Sequence, residues 1–170
     1  MKNIFTTTAI LALLLTGTVL AQEKSSPSND HCAMMQRGDQ EMGFSHEKTT
    51  HHFLLFKDGG AITVTANDAK DTASRDQIRQ HLSHIAKMFT AGNFNVPMLI
   101  HGVTPPGVPA MTELREQISY TFQEISSGAR VRIKTTDPRA LEAVYSFLRF
   151  QIKEHETGDP AGVSDDTRVE

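Results

Sequence analysis

Across residues 74–89 (SRDQIRQHLSHIAKMF), Ile78, Leu82, Ile85 and Phe89 recur at helical spacing and predict an amphipathic helix. Ser74 with Gln77 three residues later reads as a capping box, and Gly92-Asn93 supplies the stop. Upstream, 51–57 (HHFLLFK) and 61–66 (AITVTA) read as strands joined at Asp58-Gly59, a hairpin-turn dipeptide. That turn pairs Leu55 with Ile62 and Phe53 with Val64, and puts all four on the core side. The opposite face, with His52, Leu54, Phe56, Thr63 and Thr65, is less polar than a solvated sheet should be. After the helix, 96–101 (VPMLIH) reads as a short edge strand because Pro97 sits at its start. Pro105-Pro106-Gly107 and Pro109 then predict a stiff loop, with a helical turn in 111–117.

The last third repeats this pattern. Residues 118–125 (ISYTFQEI) and 129–135 (ARVRIKT) alternate around Ser126-Ser127-Gly128, with Tyr120, Phe122, Val131 and Ile133 inward. Ser119, Thr121, Gln123, Arg130, Arg132 and Lys134 then face out. Asp137-Pro138 is a helix start, and Leu141, Val144, Tyr145, Leu148 and Ile152 carry an apolar stripe to His155. The expected fold class is therefore α+β: duplicated ββα units forming a four-stranded antiparallel sheet with two helices packed on one face. Two strands and one helix cannot bury their apolar faces alone, so the duplication has a physical motive.

The ends read differently. Residues 1–21 have Lys2, an apolar run and Val19-Leu20-Ala21, the pattern of a secretory signal peptide. Residues 22–50 lack branched apolar side chains and read as a disordered Met/His-containing arm, and 158–170 as a polar disordered tail. One domain, 51–157, remains. The expected location is the periplasm or outside the cell, with no membrane insertion. The formal charge of the whole chain is −3. No basic stripe suits phosphate backbones, so nucleic acid is excluded as a partner. The single cysteine, Cys32, cannot make an internal disulfide.

Candidate chemistry lies on the first helix. His81, His84 and Met88 share one flank, over an arc of roughly 60°. If the two units are aligned, they fall over Val144, Phe147 and Gln151, so only the first copy carries donors. Met98 and His101 lie beside the stiff loop, and His51 projects to the core side of its strand. Imidazole and thioether donors suit copper or another transition metal, or haem iron. Each also has a plainer reading: a half-buried histidine at a helix margin, or methionine as core filler. The arm adds His31, Cys32, Met34, Met35, Met42 and His46, either a collector of soft cations or a spacer. Enzymatic signatures are sparse, with His81 or His84 beside Arg75 or Tyr120 the first suspects for acid–base work.

The strings HHFLLFKDGGAITVTAND, TASRDQIRQHLSHIAKMF, NVPMLIHGVTPPGVP and FLRFQIKEHETGDP resemble a group of small exported bacterial proteins of unsettled function, some of which carry the automatic label aspartate carbamoyltransferase. The similarity spans most of 51–160. The label does not suit this chain, which has no S-T-R-T phosphate loop and no H-P-x-Q segment. It is also too short for two α/β domains. The resemblance implies export and no catalytic residues. Two functional classes follow: an exported metal-handling protein using His81, His84, Met88, Met98, His101 and His51, or a metal-free binding module. The second would dock a protein partner, or a second copy, through Leu54 and Phe56 on the outer sheet face.

Overall fold

The computed structural model describes residues 27–165, with side chains from Cys32 onward; the expected signal peptide lies outside them. The fold is α+β, with a four-stranded antiparallel sheet and five α-helices. In chain order these are α1 (Pro27–Met42), β1 (Thr49–Phe56), β2 (Gly59–Ala66), α2 (Thr72–Thr90), α3 (Asn95–His101), α4 (Val108–Glu113), β3 (Ile118–Ile125), β4 (Gly128–Thr135) and α5 (Pro138–Glu154). The sheet order is β1-β2-β4-β3. No helix among the described residues is long and apolar enough to cross a membrane.

The first hairpin turns at Lys57-Asp58, because Phe56 pairs with Gly59. Phe53 therefore faces Ile62 and Leu55 faces Gly60, a register two residues away from the expected pairing. A slip of two leaves every side chain on its original face, so the assignment of Phe53, Leu55, Ile62 and Val64 to the core survives. The second hairpin pairs Tyr120 with Ile133 and Phe122 with Val131, and all four pack in or against the core, as the alternation predicts. Gly60 sets how closely α5 packs on the first hairpin. A Cβ there would stand 2.2 Å from Leu148 Cδ1 on α5 and 2.5 Å from the Leu54 carbonyl oxygen. Only a residue without a side chain lets α5 seat so close to the hairpin.

Both long helices start on an aspartate. Asp71 accepts from the Ser74 amide at 3.0 Å and Asp137 from the Ala140 amide at 2.8 Å. The first start lies ahead of the expected Ser74 cap, whose hydroxyl instead donates to Asp71 at 2.8 Å. Ile78, Leu82, Ile85 and Phe89 of α2 and Ala140, Val144, Phe147 and Leu148 of α5 join the strands in one apolar core.

Three segments depart from expectation. Residues 96–101 belong to helix α3, not an edge strand: Pro97 sits in the first turn, where its missing N–H is harmless, and Pro97 and Ile100 are buried three residues apart. The arm is not wholly unstructured, since α1 occupies most of it. Met34, Gly38 and Met42 recur every fourth residue on its buried side, and Arg37 Nε donates to the Ile100 carbonyl at 2.9 Å. Methionine here does the packing that branched residues usually do.

The third is the tail. As far as Asp165 it lies along the free edge of β1, with the Ser164 amide donating to the Leu55 carbonyl at 2.9 Å. Asp159 accepts from the Phe53 amide at 2.9 Å and bonds His52 Nδ1 at 2.8 Å. The tail thereby covers an edge that would otherwise present unpaired amides.

The outer face also differs. Phe56 is only 2 % exposed, with the Arg132 guanidinium 4.7 Å above its ring. Arg132 is buried too, donating to the Gly60 carbonyl and pairing with Asp58. The apolar patch expected at Leu54 and Phe56 is thus reduced to a half-buried Leu54.

Two substitutions probe these contacts. Gly60→Ala forces α5 away from the hairpin and should cost about 1–3 kcal/mol, read as a lower urea midpoint with an unchanged m-value. Asp159→Ala strands the Phe53 amide and should cost about 1–3 kcal/mol. Hydrogen exchange at Phe53 should accelerate with it; wild-type protection in the variant would mean that the tail does not hold the edge.

Candidate functional site

A cavity of about 60 Å³ lies within the core, between α2, α3, α5 and the first two strands. At roughly 10–15 Å³ per water-sized occupant, it admits a few small groups and is far too small for haem. Phe53, Ile62, Val64, Leu82, Ile85, Phe89 and Phe147 form apolar walls. The polar lining is imidazole and amide: His51, His81, His101, His155 and Gln151, with the Met42 thioether beside them. No carboxylate lines it.

Each histidine arrives from a different element. His51 comes from β1, on the same face as Phe53 and Leu55. His81 comes from α2, one residue from the buried Leu82. His101 ends α3, held there by Gly102 in the left-handed region, whose amide donates to the Met98 carbonyl. His155 caps α5. The rings pack on one another: His51 and His155 stack at 5.7 Å between centroids, and His101 meets His155 edge-on at 5.0 Å. Phe44, just after α1, contacts both His51 at 6.1 Å and His81 at 5.6 Å.

The most informative contact is between His101 Nε2 and Gln151 Oε1, at 3.0 Å. An amide oxygen only accepts, so Nε2 carries the proton and Nδ1 keeps its lone pair. Nδ1 is buried and has no hydrogen-bond partner, and neither has the buried Gln151 Nε2. Gln151 is itself 3 % exposed. Leaving such groups unsatisfied is costly, and both residues line the cavity, which makes it the place where a small polar or cationic occupant would offset that cost.

The electrostatics keep the imidazoles neutral. Burial lowers His51 to about 4, helped by His52 and His46 and opposed by Asp39. Burial likewise lowers His81 to about 4, with His51 and His84 adding to the effect. His101 is also lowered by burial, against the upward pull of its Gln151 bond. Neutral imidazoles at neutral pH are ready ligands or hydrogen-bond partners, with little competition from protons.

Of the residues expected from sequence, the cavity gathers His51, His81 and His101 and leaves the others apart. His84 is exposed, on a surface groove with His81, Gln77, Gln80 and Glu41. Met88 packs against the core cluster, and Met98 is half-buried on α3. A shared helical flank put His81, His84 and Met88 together, but the sheet divides that flank between cavity, solvent and core. Sequence reading missed Gln151 and His155 as site residues, and placed Met42 only in the arm's set of soft donors. The first two continue the α5 stripe at helical spacing beyond Leu148, so a signal was present. Neither Arg75, paired with Asp76 at 2.9 Å, nor Tyr120 lines the cavity. Among the described residues no group of three or more His, Cys, Asp or Glu side chains is already gathered as a metal-ligand set.

Comparison with protein-family models, characterised proteins and solved structures finds no match to this chain. What the cavity does must therefore be read from its own residues.

The lowered histidines set a pH dependence. In the unfolded chain His51 and His81 take up protons near pH 6.5, but in the folded protein only near 4. The unfolded state thus binds more protons between those values, and stability falls as pH falls through that window. The slope should reach about 1.4 kcal/mol per pH unit for each histidine. Urea unfolding of the metal-free protein at pH 7.0, 6.0 and 5.0 measures it, and His81→Gln should flatten the curve. A curve as steep as wild type in that variant would remove His81 from the account.

Proposed function

We propose that this is an exported soluble protein that binds a transition-metal ion of copper type, with His101 and His155 as the central donors and His51 and Met42 beside them. The observation that carries the reading is the orientation of His101. A metal-bound histidine characteristically donates its other ring N–H to an oxygen acceptor, which fixes the tautomer and aims the lone pair. Gln151 does this for His101, whose Nδ1 is buried without a partner, and both residues line the cavity. The donor chemistry selects the ion. Neutral imidazoles and a thioether in apolar surroundings, with no carboxylate, favour singly charged Cu(I) and disfavour Ca²⁺ or Mg²⁺. Cu(I) accepts two or three ligands, so it does not need a larger set gathered in advance.

The reading shifts the centre of the site away from the α2 flank. His81 becomes a wall residue, while His84, Met88 and Met98 lie away from the ion. The proposal extends to the scaffold: β1-β2-α2 and β3-β4-α5 are two copies of one ββα unit, with both long helices on the same sheet face. The aspartate cap shared by α2 and α5 supports this, as does the cavity that both helices line with Phe53, Ile62 and Val64. In this arrangement the metal lies where the two units meet, with donors drawn mainly from the ends of α3 and α5.

Anaerobic titration of the mature protein with Cu(I), and separately with Cu(II) and Zn(II), tests the proposal. Cu(I) should bind with submicromolar affinity, and His101→Ala/His155→Ala should abolish that binding. Gln151→Leu keeps the volume but frees the ring, and should weaken binding about 10–100-fold. Affinity weaker than micromolar for all three ions, or binding unchanged in the double variant, overturns the reading.

A further inference from the structure

A second, larger cavity of about 270 Å³ opens beside the first, between α1, the start of β1 and the end of α5. The two share Met42, His51, Ile100 and His155 as common wall. Its remaining lining includes Met34, Met35 and His46, contributed by α1 and the turn that follows it. Met34 is 5 % exposed and Met42 8 %, so these thioethers belong to a packed wall.

His46 is built in a particular way. Its Nδ1 lies 2.9 Å from Asp39 Oδ1, and the same carboxylate oxygen accepts from the His46 backbone amide at 2.8 Å. A carboxylate only accepts, so Nδ1 carries a proton, and in the neutral ring Nε2 keeps the lone pair. This is again the outer-shell arrangement of a metal-bound imidazole, here with a carboxylate as the orienting group. The Asp39–His46 bond spans the end of α1, so the same contact that sets the ring also holds the methionine helix against the domain.

We infer that this outer cup is a second soft-cation site, binding Cu(I) through His46 Nε2 and the Met34 and Met35 thioethers. The inference shares with the inner site only the class of cation and rests on different donors. Thioethers are poor ligands for Zn(II), so binding through Met34 and Met35 favours Cu(I) over Zn(II). The common wall of Met42, His51 and His155 places an ion at the cup beside the inner histidines.

The test is anaerobic Cu(I) titration of the mature protein with bicinchoninate as competitor. Wild type should hold about two Cu(I) per chain. Met34→Leu/Met35→Leu preserves shape and should reduce this to one, with the remaining ion lost on adding His101→Ala/His155→Ala. His46→Gln, at a half-exposed position, gives the same answer without touching the core and controls for misfolding, which circular dichroism checks in each variant. Stoichiometry unchanged by both α1-side changes overturns the outer site. A single ion lost only with the inner pair overturns it too, and leaves the inner site standing. A single ion lost only with Met34, Met35 or His46 supports the cup and removes the inner site. Zn(II) binding that depends on Met34 and Met35 would contradict the soft-donor assignment.

Discussion

The hydrogen bond between His101 and Gln151 ties the short helix α3 to the last full turn of α5. It adds a polar tie to the contacts α3 already makes with the core through Pro97 and Ile100 and with α1 through Arg37. With it, a buried imidazole is fixed in one tautomer and one orientation inside an apolar enclosure. A buried amide that accepts on its oxygen leaves its own N–H₂ without a partner, so stability is given up at the same place where the ring is held. Such local cost at a spot enclosed by good packing is what functional sites show in general.

Much of the remaining architecture encloses that group. Close seating of α5 on the first hairpin, allowed by Gly60, brings Gln151 and His155 near β1. The stack of His155 on His51 and the approach of Phe44 to His51 and His81 then close the sides. α1 adds a methionine wall, and Arg37 secures it to α3. The tail, bonded along β1 by Asp159 and Ser164, completes the sheet edge next to His52. The tail carboxylate Asp159 is taken up by the Phe53 amide and His52, and no carboxylate lines the inner cavity.

Burial gives the imidazoles a second property, neutrality. With His51 and His81 lowered to about 4, these two rings carry no charge at neutral pH. A neutral, soft and largely apolar lining discriminates by donor type more than by charge. Hard divalent ions lose their water without gaining oxygen ligands, while a soft monovalent ion loses little and gains nitrogen and sulfur.

The strands, both hairpins, the two long helices and the inward residues could be read from periodicity, because alternation and the 3.6-residue repeat are local properties of the chain. Even the misplaced register of the first hairpin kept its faces, since it slipped by two. The donor types were equally legible: imidazole and thioether, with no catalytic signature. Tertiary packing decided which donors meet. His81, His84 and Met88 share a helical flank, yet the sheet sends only His81 into the cavity; Gln151 and His155 enter from a helix whose stripe reads as plain core. The arm and tail lacked apolar periodicity, so only the core surface and free edge waiting for them could show where Met34, Met42 and Asp159 belong.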